Sequence, residues 1–280
     1  MDIIVTGMDE MVGRFTLRGA SPAFANAFRR SMISEVPTLA IEDVRIYDNN
    51  SALFDEMLAH RLGLIPIRTD LASYSLPGQC ACTGAGCPSC MASFTLSVEG
   101  PRTVYTRDLI PQDPEATPVH DDIPIVKLAE DQKVVLEARA VLGTGKAHAK
   151  WQPTVACGYK NFPVITIDGR CDACGMCVEE CPRHILETRG KSIAVIEGRL
   201  EDCSLCRLCE RACLAGGIGE EPAIHVTADT QRHLFLVESD GSLPVQKIME
   251  EALVFLKKRS EEVIEILDEI SGGMADEASS

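Results

Sequence analysis

The sequence is short of aromatic residues and of positive charge. Phe, Trp and Tyr make up 5% of its 280 residues, so its cores are expected to be aliphatic. Lysine and arginine total 27 against 42 aspartates and glutamates, which leaves a formal charge of −15. An acidic surface repels phosphate backbones, so direct nucleic-acid binding by the chain as a whole is not expected. The Arg29 and Arg30 pair is too short to form a basic patch. No run approaches the 18 apolar residues of a membrane-spanning helix. The start, Met1 to Ile4, lacks the basic residues of a signal peptide. A cytoplasmic location is expected. Phosphate-binding and nucleophile motifs are missing as well. Gly143 to Lys146 is too short for a P-loop and is followed by Ala147 where Ser or Thr belongs. There is no G-x-G-x-x-G after a strand and no G-x-S-x-G elbow. The six histidines are scattered, so no active site is expected on this chain itself.

Apolar residues, in contrast, make up 45%, enough for real cores in one large domain or two to three small ones. The pattern reads as α+β. Ile3 to Val5 and Phe15 to Leu17 suit a hairpin. A helix is expected from Ser21, as cap, to Val36, with Pro22 in its first turn and Pro37 as its stop. Phe24, Ala27, Phe28, Ser31, Met32 and Val36 lie on one face of it. Residues 41–47 read as a strand, followed by a short helix ending at Gly63. Residues 92–166 read as β-rich and residues 233–238 as a strand. A long helix is expected over about Ser242 to Ile270, with Val245, Met249, Ala252, Leu256, Val263, Leu267 and Ile270 spaced as a seam. At 1.5 Å per residue it would be about 42 Å long, which suits pairing with another chain, with packing on its own domain as the alternative. The tail after Gly272 is expected to be loose.

Thirteen cysteines in a cytoplasmic chain call for something other than disulfides. Eight follow one rule. Cys171, Cys174, Cys177 and Cys181 have the spacing C-x2-C-x2-C-x3-C, and Cys203, Cys206, Cys209 and Cys213 repeat it at a constant offset. Three closely spaced thiolates wrap one 4Fe–4S cluster, and the fourth points at its neighbour. Cluster one is therefore expected on Cys171, Cys174, Cys177 and Cys213, and cluster two on Cys181, Cys203, Cys206 and Cys209. Pro182 follows the first motif as the pattern asks; Leu214 stands at its counterpart. The segment resembles bacterial-type ferredoxins with two clusters. Zinc usually binds two separated cysteine pairs, not runs of four. Four further cysteines, Cys80, Cys82, Cys87 and Cys90, are spaced to surround one tetrahedral ion, which makes a structural zinc the expectation and four mobile thiols the alternative. Cys157 stands alone and reads as a small buried hydrophobe.

Outside these cysteines, the stretch Asn26 to Ile41, then Leu53 to Glu56, Ala59 to Pro66, His148 to Pro153 and Val237 to Pro244, resembles the α-like subunits of DNA-directed RNA polymerase, in particular the archaeal D form. The resemblance runs over nearly the whole chain. It implies a non-catalytic scaffold within a nucleotidyltransferase complex. It also implies a discontinuous dimerisation domain (residues 1–40 and 226–271) carrying a β-rich insert (41–166) and a ferredoxin-like insert (167–225). The two helical faces would then meet the small L subunit through Phe24, Ala27, Phe28, Met32, Val245, Met249 and Leu256. Arg29, Arg30, His60 and Arg61 would face the large subunits. The competing reading is a ferredoxin-type electron-transfer subunit of an oxidoreductase, since paired clusters serve that work.

Overall fold

The computed structural model describes every residue except 84, 217–219 and 278–280, and it leaves the side chains of 271–277 undescribed as well. The chain opens with strands β1 (Asp2–Met8) and β2 (Val12–Arg18), helix α1 (Pro22–Ser34), strand β3 (Pro37–Asn49) and helix α2 (Asp55–Gly63). Strands β4 (Met91–Glu99), β5 (Arg102–Tyr105), β6 (Ile110–Pro111), β7 (Pro124–Leu128), β8 (Lys133–Thr144) and β9 (Thr154–Ile167) follow. Helix α3 (Met176–Glu179), strands β10 (Leu186–Arg189) and β11 (Ser192–Val195), helix α4 (Leu208–Ala215), strand β12 (Ile224–Ser239) and helix α5 (Val245–Glu277) complete it. The fold is α+β and rich in strand.

Several element boundaries differ from the sequence reading: the strand expected at 41–47 spans Pro37–Asn49, the one expected at 233–238 spans Ile224–Ser239, and two helices shift as well. Helix α1 stops at Ser34, before Val36, because the residue preceding a proline disfavours helical backbone. Helix α5 begins at Val245 and continues past Ile270 to Glu277. The loose tail expected from 272 is therefore helical as far as 277, and 278–280 lie outside the described residues.

The chain forms two compact units. The first comprises Met1–Thr6, Arg14–Ala25 and Tyr159–Phe235. Its strands belong to a sheet of order β1-β2-β12-β9. Phe15 stacks on Phe235 at 4.9 Å, and Tyr159 on Phe235 at 5.1 Å. His233 is fully buried but satisfied: Nε2 donates to the Ala20 carbonyl at 3.0 Å, and Nδ1 lies 3.1 Å from the Asn161 side-chain oxygen. Ser21 accepts the Phe24 N–H at 3.2 Å, the cap expected of it. The cysteine-rich segment joins β9 to β12. It contains the antiparallel β10–β11 hairpin, and its core combines Ile185, Leu186, Ile193, Ala223, Ile224 and Val226 with five of the cysteines.

The second unit comprises Gly7–Gly13, Asn26–Gly158 and Leu236–Ser280. Its main sheet has the order β3-β8-β4-β6. Strands β3 and β8 pair antiparallel from Pro37 opposite Thr144 to Asn49 opposite Val134. One face buries Leu39, Ile41, Phe94, Leu96, Leu136 and Ala138, and Leu58 and Leu62 of α2 join the same core. The stretch His148–Pro153 is a staple on this sheet. Trp151 donates from Nε1 to the Val141 carbonyl at 3.1 Å, and its own carbonyl accepts the Thr38 hydroxyl at 3.0 Å. Lys150 sits over the indole at 4.4 Å and bonds the Ile41 carbonyl and the Glu42 carboxylate. Gly143 lets the ring lie down, since a Cβ there would come within 2.4 Å of the indole. The Ser239–Pro244 turn launches α5: Ser242 bonds Asp240 through both its N–H and its hydroxyl, and the Thr69 N–H donates to the Ser242 carbonyl at 2.9 Å. Val245, Ile248 and Ala252 are then fully buried.

Gly143→Ala should destabilise the chain by about 1–3 kcal/mol through overpacking against Trp151. Gly158→Ala, where a Cβ meets nothing within 4 Å, should stay within about 0.5 kcal/mol of the parent. Denaturant midpoints of the two variants, measured side by side, check this.

Candidate metal centres and assembly surface

The two cysteine motifs repeat in backbone as well as in sequence. Ala173 and Gly175 in the first have positive φ values of 60° and 82°; their counterparts in the second, Leu205 and Arg207, have 58° and 60°. Each such pair turns the chain back on itself, then starts a short helix, α3 after Gly175 and α4 after Arg207. Left-handed backbone at a side-chain-bearing residue costs about 1–2 kcal/mol. At Arg207 it is offset by a bond from Nε to the Val226 carbonyl at 3.3 Å and an ion pair with Glu210 at 3.2 Å.

Two small apolar cavities lie in this segment. One is lined by Cys171, Cys174, Cys177 and Cys213 together with Ile167 and Ile193. The other is lined by Cys181, Cys203, Cys206 and Cys209 together with Ile165 and Ile185. Each cavity thus gathers three cysteines of one motif and the last cysteine of the other. Cys174 and Cys206 are exposed, while Cys177, Cys181, Cys203, Cys209 and Cys213 are buried. Burial, followed by the charges of Cys213, Cys171 and Cys174, pushes the Cys177 thiol up to about 11; burial pushes that of Cys209 up to about 12. Four cysteines lining one apolar cavity suit a group that holds them as thiolates. A 4Fe–4S cluster fits that donor set, supplying four irons that each take one outside sulfur.

In the second unit, Cys80, Cys82, Cys87 and Cys90 bring their sulfurs within 4.8 Å of one another. Individual separations are 3.5 Å for Cys80 and Cys87, 3.5 Å for Cys82 and Cys90, and 3.8 Å for Cys87 and Cys90. A tetrahedron with zinc–sulfur bonds of about 2.3 Å has sulfur separations of about 3.8 Å, whereas a disulfide needs about 2.05 Å. Tight turns shape the loop: the Thr83 N–H reaches the Cys80 carbonyl, and the Cys90 N–H reaches that of Cys87, each at 3.0 Å. The Cys87 N–H draws the Cys90 thiol down, but burial and the sulfurs of Cys82, Cys80 and Cys87 push it up to about 12. Cys157 is half-buried beside the Arg29 carbonyl, and burial pushes its thiol up to about 11.

The helix residues divide by exposure. Phe28, Met32 and Val245 are buried within the chain's own core, and Met249 is 9% exposed. Phe24, Ala27 and Leu256 are half-buried. A periodic apolar stripe marks a face that needs cover; it does not say which chain supplies it. Further along α5, Val254, Val263, Ile264, Ile266, Leu267 and Ile270 are all more than half exposed. Arg29 is half-buried and bonds the Asn26 side chain, while Arg30, His60 and Arg61 are exposed. Arg61 donates to the Pro124 carbonyl. Sequence reasoning missed Phe54, Met57 and Leu64, which are 79%, 52% and 52% exposed around His60 and Arg61. Phe54 and Leu64 are the residues that flank α2 and Met57 lies in its first turn, so no periodic signal joined the three.

Comparison with known proteins agrees with this anatomy. Residues 44–169 match the RNA polymerase Rpb3/RpoA insert domain, and residues 170–216 match a 4Fe-4S dicluster domain. The chain is 45% identical over 271 residues to DNA-directed RNA polymerase subunit Rpo3 of Methanosarcina acetivorans, covering 96% of this chain and 99% of that one. It is 44% identical to Rpo3 of Archaeoglobus fulgidus, over 92% and 94% of the two chains. The Rpo3 of Picrophilus torridus is 34% identical, over 91% and 96%. A β-rich insert, a twin-cysteine segment between two sheet strands and end-to-end similarity to these proteins place the chain in the Rpo3 family of DNA-directed RNA polymerase subunits.

Proposed function

We propose that the chain is a non-catalytic assembly subunit of a cytoplasmic, archaeal-type DNA-directed RNA polymerase, the counterpart of the archaeal D form. It pairs with the small L subunit and docks the large subunits; RNA synthesis from nucleoside triphosphates takes place elsewhere in the complex. The observation that carries this reading is helix α5. Its first turns are buried, yet Val263, Ile264, Ile266 and Ile270 are 51–57% exposed along its distal half. So much apolar surface on one rigid rod suits burial against another chain. The dimerisation domain is assembled from residues 1–40 and 226–271, with 41–166 and 167–225 as its two inserts. Phe24, Ala27 and Leu256 contribute to the surface for L, with Phe28, Met32, Val245 and Met249 bracing it from beneath. Arg29, Arg30, His60 and Arg61 meet the large subunits, and Phe54, Met57 and Leu64 belong to the same contact.

The eight cysteines of the inserted segment hold two 4Fe–4S clusters in the crossed arrangement, and Cys80, Cys82, Cys87 and Cys90 hold one zinc ion. These groups shape their inserts and tie assembly to iron and oxygen supply. The electron-transfer reading finds less support, because the family resemblance spans the entire chain.

Affinity purification of the full chain from its native cytosol tests the proposal. Polymerase subunits at equal stoichiometry are expected; a dehydrogenase or hydrogenase in their place would transfer the chain to the oxidoreductase reading. Val263→Asp with Ile270→Asp should weaken pairing with L at least about tenfold, or about 1.4 kcal/mol, in a titration by analytical ultracentrifugation. Cys87→Ser should abolish zinc recovered by elemental analysis, while Cys157→Ser should leave it unchanged. Cys171→Ser combined with Cys203→Ser should remove cluster absorbance and reduce incorporation of the chain into polymerase. Normal incorporation with and without air would rule out any regulatory part for the clusters.

A further inference from the structure

The two cavities of the cysteine segment share a backbone plan but differ in charge. Among the described residues, the first is lined by the carboxylate of Asp172 and by no basic side chain. The second is lined by Arg183 and by Arg207, the latter offset by its ion pair with Glu210 at 3.2 Å. Behind the second lies Lys160, a half-buried residue of β9. Its ammonium donates to the Glu201 carbonyl at 2.5 Å and to the Cys203 carbonyl at 2.8 Å, gripping the limb that delivers the first cysteine of the motif. The counterpart limb, ahead of Cys171, carries Asp168 and Arg170 instead. Exposed Arg170 and half-buried Asp168 pair at 2.6 Å and offset each other's charge.

A cluster held by four thiolates is anionic, and reduction adds one more negative charge. A fixed cation nearby stabilises the reduced form, and does so more strongly when water is partly excluded. We infer that the two cluster sites are electrostatically unequal, that the site of Cys181, Cys203, Cys206 and Cys209 is the one reduced first, and that Lys160 is the positioning residue that sets this order. One electron from an external low-potential one-electron donor would enter that cluster, with no proton taken up or released in the step. This inference rests on the two-cluster reading above.

The test is a potentiometric titration of the full chain, purified without air with its bound partners, using dithionite as reductant and electron paramagnetic resonance as readout. Iron analysis comes first: about eight irons per chain are required by the two-cluster reading, so a lower count defeats that reading and not the ordering. Cys206→Ser and Cys174→Ser label the two signals, since each perturbs the spectrum of its own cluster. The first signal to appear should be the one that Cys206→Ser perturbs. Lys160→Gln keeps donors for the two carbonyls and removes the charge. It should lower the reduction equilibrium of that cluster about tenfold, a shift of about 59 mV for one electron. Lys160→Arg should leave it in place. If the first signal belongs to the cluster perturbed by Cys174→Ser, or if Lys160→Gln moves neither signal, the inference is wrong. Should Lys160→Gln fail to hold iron, the order of reduction in the parent chain decides alone.

Discussion

The pairing of β9 with β12 is the constraint on which the first unit depends. These strands are neighbours in one sheet, so the two ends of everything between them are held about 4.8 Å apart. An inserted segment must leave and return through that gap, and a twofold-repeated cysteine module satisfies the condition because its own ends meet. The Asp168 N–H closes the junction on the Ala223 carbonyl at 2.8 Å. Ile165, Ile167, Ile224 and Val226, from the ends of the same two strands, pack into the module's core. The sheet and the cysteine module therefore share apolar contacts, and a change in one is felt as a change in the packing of the other.

Much of this was legible in the sequence because it is periodic. Cysteine spacing is a covalent property of the chain, and the repeat of one motif in the other survives into the backbone as matched left-handed turns. The cap at Ser21, the break before Pro37 and the helical course of α5 were readable for the same reason: each follows from steric or hydrogen-bonding rules acting over a few residues. What periodicity cannot disclose is which neighbour covers an apolar face. Phe28 and Phe24 stand one turn apart on one helix, yet one is buried and the other half-buried. That difference is created by residues far away in the chain.

Long-range side-chain contacts were illegible for a related reason. Lys160 is an ordinary residue in a β-rich stretch, and nothing local relates it to Glu201 and Cys203. The stretches that carry the family resemblance are similar. The His148–Pro153 staple and the Ser239–Pro244 turn owe their character to contacts with Val141, Thr38 and Thr69, so their residues organise the fold and do not mark a reaction site. A chain whose most distinctive motifs are joints is consistent with the absence of nucleophile and phosphate-binding motifs from its sequence.

Helix α5 has a consequence for how the chain fares in the cell. Its distal half exposes Val263, Ile264, Ile266, Leu267 and Ile270 among charged neighbours, while its first turns are buried in the chain's own core. A copy made in excess of whatever covers that rod is a folded protein with an adhesive end, the kind of surface that holdase chaperones bind and that proteases clear. Exposed apolar surface of this kind is what a cell's quality control acts on, so a helix that needs cover is also a site by which an uncovered copy is distinguished from a covered one.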